Sequence, residues 1–167
     1  MTMDLQAALD GENIGNTDSA TAILKRDHQA MRKAFAKYRE LMNEAAAQRA
    51  AVAQDICMQF ELHFAVTREI FYPAMGGHDL VRELLEAQED VQECIETLRN
   101  SQALAESELD STTVRLMELA DFYICKERRL IAAADQDGGR DLDSLGARMM
   151  ELRKKIAGAV EDLESRS

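Results

Sequence analysis

Apolar positions along this chain recur every three or four residues in five successive stretches, the spacing of side chains on one face of an α-helix. From residue 19 to 46 the stripe reads Leu24, His28, Met31, Phe35, Tyr38, Met42, in steps of 4, 3, 4, 3 and 4. Residues 49–75 carry Val52, Ile56, Gln59, His63, Thr67 and Ile70. Residues 79–104 carry Leu80, Leu84, Gln88, Val91, Ile95 and Leu98. Residues 110–134 carry Leu116, Ala120, Tyr123, Glu127 and Leu130, with Phe122 and Lys126 beside the stripe. A fifth stretch from Asp141 carries Leu142, Leu145, Met149, Leu152, Ile156 and Leu163. Gly76-Gly77 and Asp137-Gly138-Gly139 interrupt the pattern, and Thr17 or Asp18 is placed to cap the first helix.

Four long helices with short connections predict an all-α, up-and-down four-helix bundle with an additional C-terminal helix. No stretch alternates with the period of a strand. Residues 1–17, with Gly11, Asn13, Gly15 and Asn16, are expected to form a flexible tail ahead of one helical domain over 18–167.

Composition agrees with helices and narrows the function. Of 167 residues, 46% are apolar and 31% charged, with one Pro, Pro73, and eight Gly, so strong helix formers dominate a chain long enough for a sizeable core. The net charge of -11 argues against nucleic acid and anionic membrane surfaces, which need clustered Lys and Arg. No apolar run approaches the roughly 20 residues that span a bilayer. The first residues lack the basic start and apolar stretch of a secretory signal. Cys57, Cys94 and Cys125 lack metal-type spacing and fit reduced thiols, so a cytoplasmic location is expected. They lie close to the stripes, Cys57 two turns before His63 and Cys125 beside Glu127, with Cys94 off the stripe and partly exposed. Buried free Cys most often acts as a small hydrophobe.

The informative positions are those where the stripes stop being apolar. His28, His63 with Thr67, Gln88 and Glu127 interrupt four different helices near their middles. An unpartnered buried polar group costs roughly 1–3 kcal/mol, so such residues are expected to satisfy one another, a water or a metal. Two imidazoles and a carboxylate are the donor set of a non-heme Fe(II) site and also suit zinc. Each His is equally accounted for as a hydrogen-bonded core residue, Glu127 as a partner of Arg128, and Gln88 as a core amide.

The stretch Ala22-Ile23-Leu24-Lys25-Arg26-Asp27-His28 resembles the opening of hemerythrin-like (HHE cation-binding) domains. His63 through Glu69-Ile70-Phe71-Tyr72-Pro73 is similar to that family's second motif, and Asp141 to Met149 resembles its segment after the fourth helix, so the resemblance spans about residues 18–158. It implies the bundle fold and, in intact members, two irons held by five or more His and two bridging carboxylates. Carried over one residue at a time, the set is broken. His28 and His63 match. The bridging Glu falls on Thr67, the third-helix His on Gln88, a further one near Leu84, and the fourth-helix His on Phe122. The last carboxylate falls on Glu127. Phe122 and Lys126 would then fill the second iron's place with apolar volume and a cation. Gln59, Thr67 or Gln88 would orient the surviving imidazoles.

The resemblance therefore implies a non-catalytic regulatory or interaction module without a di-iron centre and with no cofactor. The alternative is one iron or zinc ion on His28, His63 and Glu127 for redox or oxygen sensing. A histidine phosphotransfer domain is a second alternative, because Lys25, Arg26, Arg32 and Lys33 surround His28; against it, the stripe puts His28 inside, and Arg32 stands one turn later where a partner would need Gly. No nucleophile and base stand at hydrolase spacing. His78, after Gly76 and Gly77, reads as a loop or capping residue. The partner is an unspecified protein or a second copy joined through the C-terminal helix; the simpler reading folds that helix back onto its own domain.

Overall fold

The computed structural model describes residues 18–100 and 104–166; the expected tail over 1–17 lies outside them. Five long helices follow one another: α1 (Ala20–Glu40), α2 (Ala46–Val66), α3 (Asp79–Arg99), α4 (Glu106–Gln136) and α5 (Leu142–Arg166). There is no strand among the described residues. The architecture is the expected all-α bundle with a further C-terminal helix.

Local chemistry sets most helix starts. Ser19, rather than Asp18, caps α1 by accepting the Ala22 N–H at 3.2 Å, while Asp18 pairs with Arg26; Thr17, the other expected cap, lies outside the described residues. His78 caps α3, its Nδ1 3.2 Å from the Leu80 N–H. Asp141 Oδ1 accepts from Ser144 N at 3.0 Å at the start of α5, satisfying an N–H with no intrahelical partner. Gly76 and Gly77 have φ of 62° and 78°, a left-handed turn that side-chain-bearing residues resist.

α2 does not stop at Val66. It continues through a π-helical segment, Thr67–Phe71, into a last turn, Tyr72–Ala74. The Tyr72 N–H bonds the Thr67 carbonyl, five residues back, which is the spacing of a π-turn. That extra residue per turn brings Tyr72 beneath Thr67, and Ile70, Phe71 and Tyr72 are all buried.

The core follows the stripes, with Leu24, Met31, Phe35, Ile56, Leu84, Val91, Ile95, Leu98, Leu116 and Leu130 buried between helices. Met42, expected to extend the first stripe, is exposed because α1 ends at Glu40. At one end of the bundle, Arg49 donates to Asp110 through Nε at 2.9 Å and Nη2 at 3.2 Å, and Tyr38 donates to the same carboxylate at 2.6 Å. This ties the α1–α2 connection to α4.

The first half of α5 folds back onto its own domain, burying Leu145, Gly146 and Met149. Gly146 is required there: a Cβ would stand 2.1 Å from the Asp18 carbonyl oxygen. Leu163, near the far end, is exposed. Cys94 is buried, not partly exposed, and Cys125 is exposed rather than against the core. Burial pushes the Cys57 thiol up to about 12, which leaves it protonated and unreactive near neutral pH. No described helix is long and apolar enough to cross a membrane.

Candidate metal centre

The polar interruptions of the four stripes do meet at one level. His28, His63 and Glu127 are buried, and one ligand-type atom from each lies within 4.8 Å of the others. His28 Nε2 is 2.8 Å and His63 Nε2 2.7 Å from the same oxygen, Glu127 Oε1. Among the described residues this is the cluster of metal-ligand type. Glu127 therefore faces inward at 0% exposure and does not pair with Arg128.

The other carboxylate oxygen has different company. Tyr72 and Tyr123 hydroxyls, 2.7 Å apart, both donate to Glu127 Oε2. The Gln88 amide nitrogen lies 2.9 Å from the Tyr123 hydroxyl, 3.3 Å from that of Tyr72 and 2.9 Å from Thr67 Oγ1. Its carbonyl accepts from Arg68 Nε at 2.6 Å. Thr67 donates back to the His63 carbonyl at 2.9 Å. Every member of this half is occupied by another.

A third layer orients His63. Its Nδ1 is 2.8 Å from Asp27 Oδ2. Arg153 of α5 holds that carboxylate with its two terminal nitrogens, Nη1 on Oδ1 at 2.9 Å and Nη2 on Oδ2 at 2.8 Å. The expected orienting residues do not serve. Gln59 Oε1 is buried without a hydrogen-bond partner, and Thr67 and Gln88 belong to the tyrosine network. Asp27 stands within the first motif, next to His28; nothing in the spacing of Arg153, 126 residues away, marks it.

Phe122 does not stand where the resemblance implies. It is 60% exposed, with Lys126 Nζ 4.6 Å above its ring, and Lys126 reaches Glu83 at 3.4 Å. Neither fills the second half of the site. Tyr123 does, because it stands four residues before Glu127 on the same face of α4. The helical stripe already contains Tyr123; Phe122, one residue earlier and so about 100° round the helix, points away from the cluster.

Protonation follows from the partners. A carboxylate oxygen only accepts, so each Nε2 facing Glu127 carries a proton when no cation is bound. His63 has carboxylates at both nitrogens and is then an imidazolium. Burial disfavours that charge, but the Glu127 charge and the Asp27 hydrogen bond outweigh it and push His63 up to about 9. Glu127 is held well below the usual carboxylate range: its burial is overcome by the His63 charge and the two imidazole hydrogen bonds. Asp27, despite burial, is lowered to about 2 by Arg153 and His63. Burial and the Glu127 charge raise both tyrosines well above 10, so they stay phenols and donors. The row Arg153, Asp27, His63, Glu127 alternates in charge and closes at zero.

One cation fits this donor set. Two imidazoles and a carboxylate oxygen converge, and His63 has the carboxylate on its far nitrogen that ligating histidines use. A pair of metals does not fit. Thr67 and Gln88 are neutral side chains already engaged with one another and with the backbone or Tyr hydroxyls, and the tyrosines are held protonated.

Residues 19–124 match the family model described as hemerythrin HHE cation binding domain. That segment ends before Glu127 and before α5, short of the stretch over which the motifs suggested a resemblance. No curated protein and no solved structure matches the chain. The matched segment covers well over half of the 167 residues and all of α1 to α3, and the chain belongs to the hemerythrin HHE cation-binding domain family.

Proposed function

We propose that this chain is a non-catalytic regulatory domain whose signal is the occupancy of one cation, iron or zinc, at His28, His63 and Glu127. The observation that carries this reading is the convergence of both Nε2 atoms on Glu127 Oε1 while Asp27 fixes the far side of His63. A bound cation of this type supplies a positive charge and, if iron, a redox-active centre with open positions. His63 gives up its Nε2 proton on ligation, which links occupancy to pH. Glu127 keeps one oxygen for the cation while Tyr72 and Tyr123 hold the other. Of the three residues, His28 borders a surface groove, while His63 and Glu127 are fully buried.

Metal analysis of the full chain, purified anaerobically and supplemented with Fe(II) or Zn(II), tests this. The expected result is one ion per chain, lost in His63→Ala. A ratio near zero, or binding unchanged in His63→Ala, removes the reading.

A second reading has its own support. The alternating row from Arg153 to Glu127 is already neutral with a proton on His63, so the cluster is complete as a hydrogen-bonded core. The chain would then serve as a metal-free interaction module, with an unspecified protein or a second copy on the exposed far end of α5. A metal ratio near zero with cooperative unfolding favours it. Phosphotransfer finds no support, since His28 is buried and bonded to Glu127.

A further inference from the structure

The basic residues around His28 are not an evenly solvated face. Lys25, His28, Gln29 and Arg32 on α1 face Arg128, Asp135 and their neighbours on α4 across a groove of about 430 Å³. At one end the charges match: Lys25 Nζ is 2.8 Å from Asp135 Oδ2, and Thr21 donates to Oδ1 at 2.6 Å. Arg32 lies seven residues after Lys25, and Arg128 seven before Asp135. Seven residues are about two helical turns, so the antiparallel register that pairs Lys25 with Asp135 sets Arg32 across from Arg128.

Both guanidinium groups are on exposed residues, and neither makes an ion pair among the described residues. Two like charges lining one groove are unfavourable, and they stand out on a chain whose net charge is -11. With Asp135 neutralised by Lys25, the groove carries two unbalanced positive charges. Planar guanidinium forks match the oxygens of phosphate and carboxylate groups. The volume is that of a small-molecule site.

We propose that this groove binds a small dianionic oxyanion, a phosphate or dicarboxylate group, bridged by Arg32 and Arg128, with the Gln29 amide and the His28 edge beside it. This goes beyond the cation reading and does not require it. The groove and its charges are present whether or not a cation occupies the buried cluster.

The test uses the full chain stripped of metal by chelator. Inorganic phosphate and succinate are titrated separately at constant ionic strength, with chloride as control, following heat of binding and melting temperature. Saturable binding at millimolar anion is expected, and the tighter anion names the ligand group. Arg32→Gln or Arg128→Gln should each weaken it roughly tenfold, the loss of one charge-assisted contact. Lys33→Gln, an exposed neighbour outside the groove, should leave it unchanged. Arg128→Glu should abolish binding and raise the anion-free melting temperature, because it gives Arg32 a partner. No saturable binding overturns the proposal; so does equal weakening by Lys33→Gln and Arg128→Gln, which would mean only general attraction to surface charge. Failure here leaves cation binding by His63 untouched, and loss of the cation in His63→Ala leaves anion binding in place.

Discussion

Glu127 has two oxygens, and they face two different cores. On the Oε1 side stand two imidazoles, one oriented by an ion pair that reaches α5. On the Oε2 side stand two phenols and an amide. Both halves satisfy the same buried charge, but only one can exchange its protons for a cation. Imidazoles lose a proton to a metal readily near neutral pH; phenols held well above 10 by burial beside a carboxylate do not. The residue types at one level of the bundle thus separate a half suited to binding from a half committed to structure.

The largest effect should come from removing the group both halves share. Glu127→Ala leaves the His63 charge buried without its carboxylate at Nε2 and takes the shared acceptor from two phenols, a loss of about 3–5 kcal/mol in chemical unfolding. Glu127→Gln keeps the shape but removes the charge that faces the His63 imidazolium, so it too should be destabilising. Stability within about 1 kcal/mol of the parent would mean the carboxylate is not the centre of the network. Tyr72→Phe or Tyr123→Phe removes one hydrogen bond to a charged acceptor, and about 1.5–3 kcal/mol is expected. Cation affinity should hardly move in either. A large loss of affinity would show the two halves are not separate.

Asp27→Asn or Arg153→Leu tests the orienting layer. Cation affinity should fall about 10–100-fold, read by competition with a chelating dye, with the fold retained. The metal-free protein carries a pH signature of the same layer. His63 is raised from 6.5 to about 9, so its contribution is complete below 6.5 and is lost as pH rises through 9. Asp27 is lowered from 3.8 to about 2, so its contribution is complete above 3.8 and is lost as pH falls through 2. Unfolding midpoints across pH should show a plateau between these limits, and Asp27→Asn should blunt both edges. The smallest effect is expected at Phe122→Ala, within about 0.5 kcal/mol as for an exposed site. Set against Tyr123→Phe, it checks the phase of α4 directly.

Much of the buried cluster is legible in the order of residues along the chain. Periodicity places His28, His63, Thr67, Gln88 and Glu127 on inward faces, and all five are buried. Burial repeats with the helix, so a polar residue in an apolar stripe announces itself. The expectation that Phe122 fills the site fails because neighbours in a helix differ by about 100°, and α4 is apolar at several adjacent positions, of which Phe122 is exposed. Tyr72 stands in the Ile-Phe-Tyr-Pro element without an evident role, since a regular helix would turn it away from Thr67. The π-helical segment reverses that.

The helices and their inward faces follow from residue type and a period of 3.6 alone. Which polar groups share an oxygen, that α5 sends Arg153 to Asp27, and that Arg32 and Arg128 line one groove were settled by packing in three dimensions. Those relations join residues far apart in the chain, and they depend on the angle and register at which the helices pack, which a repeat along one helix does not encode.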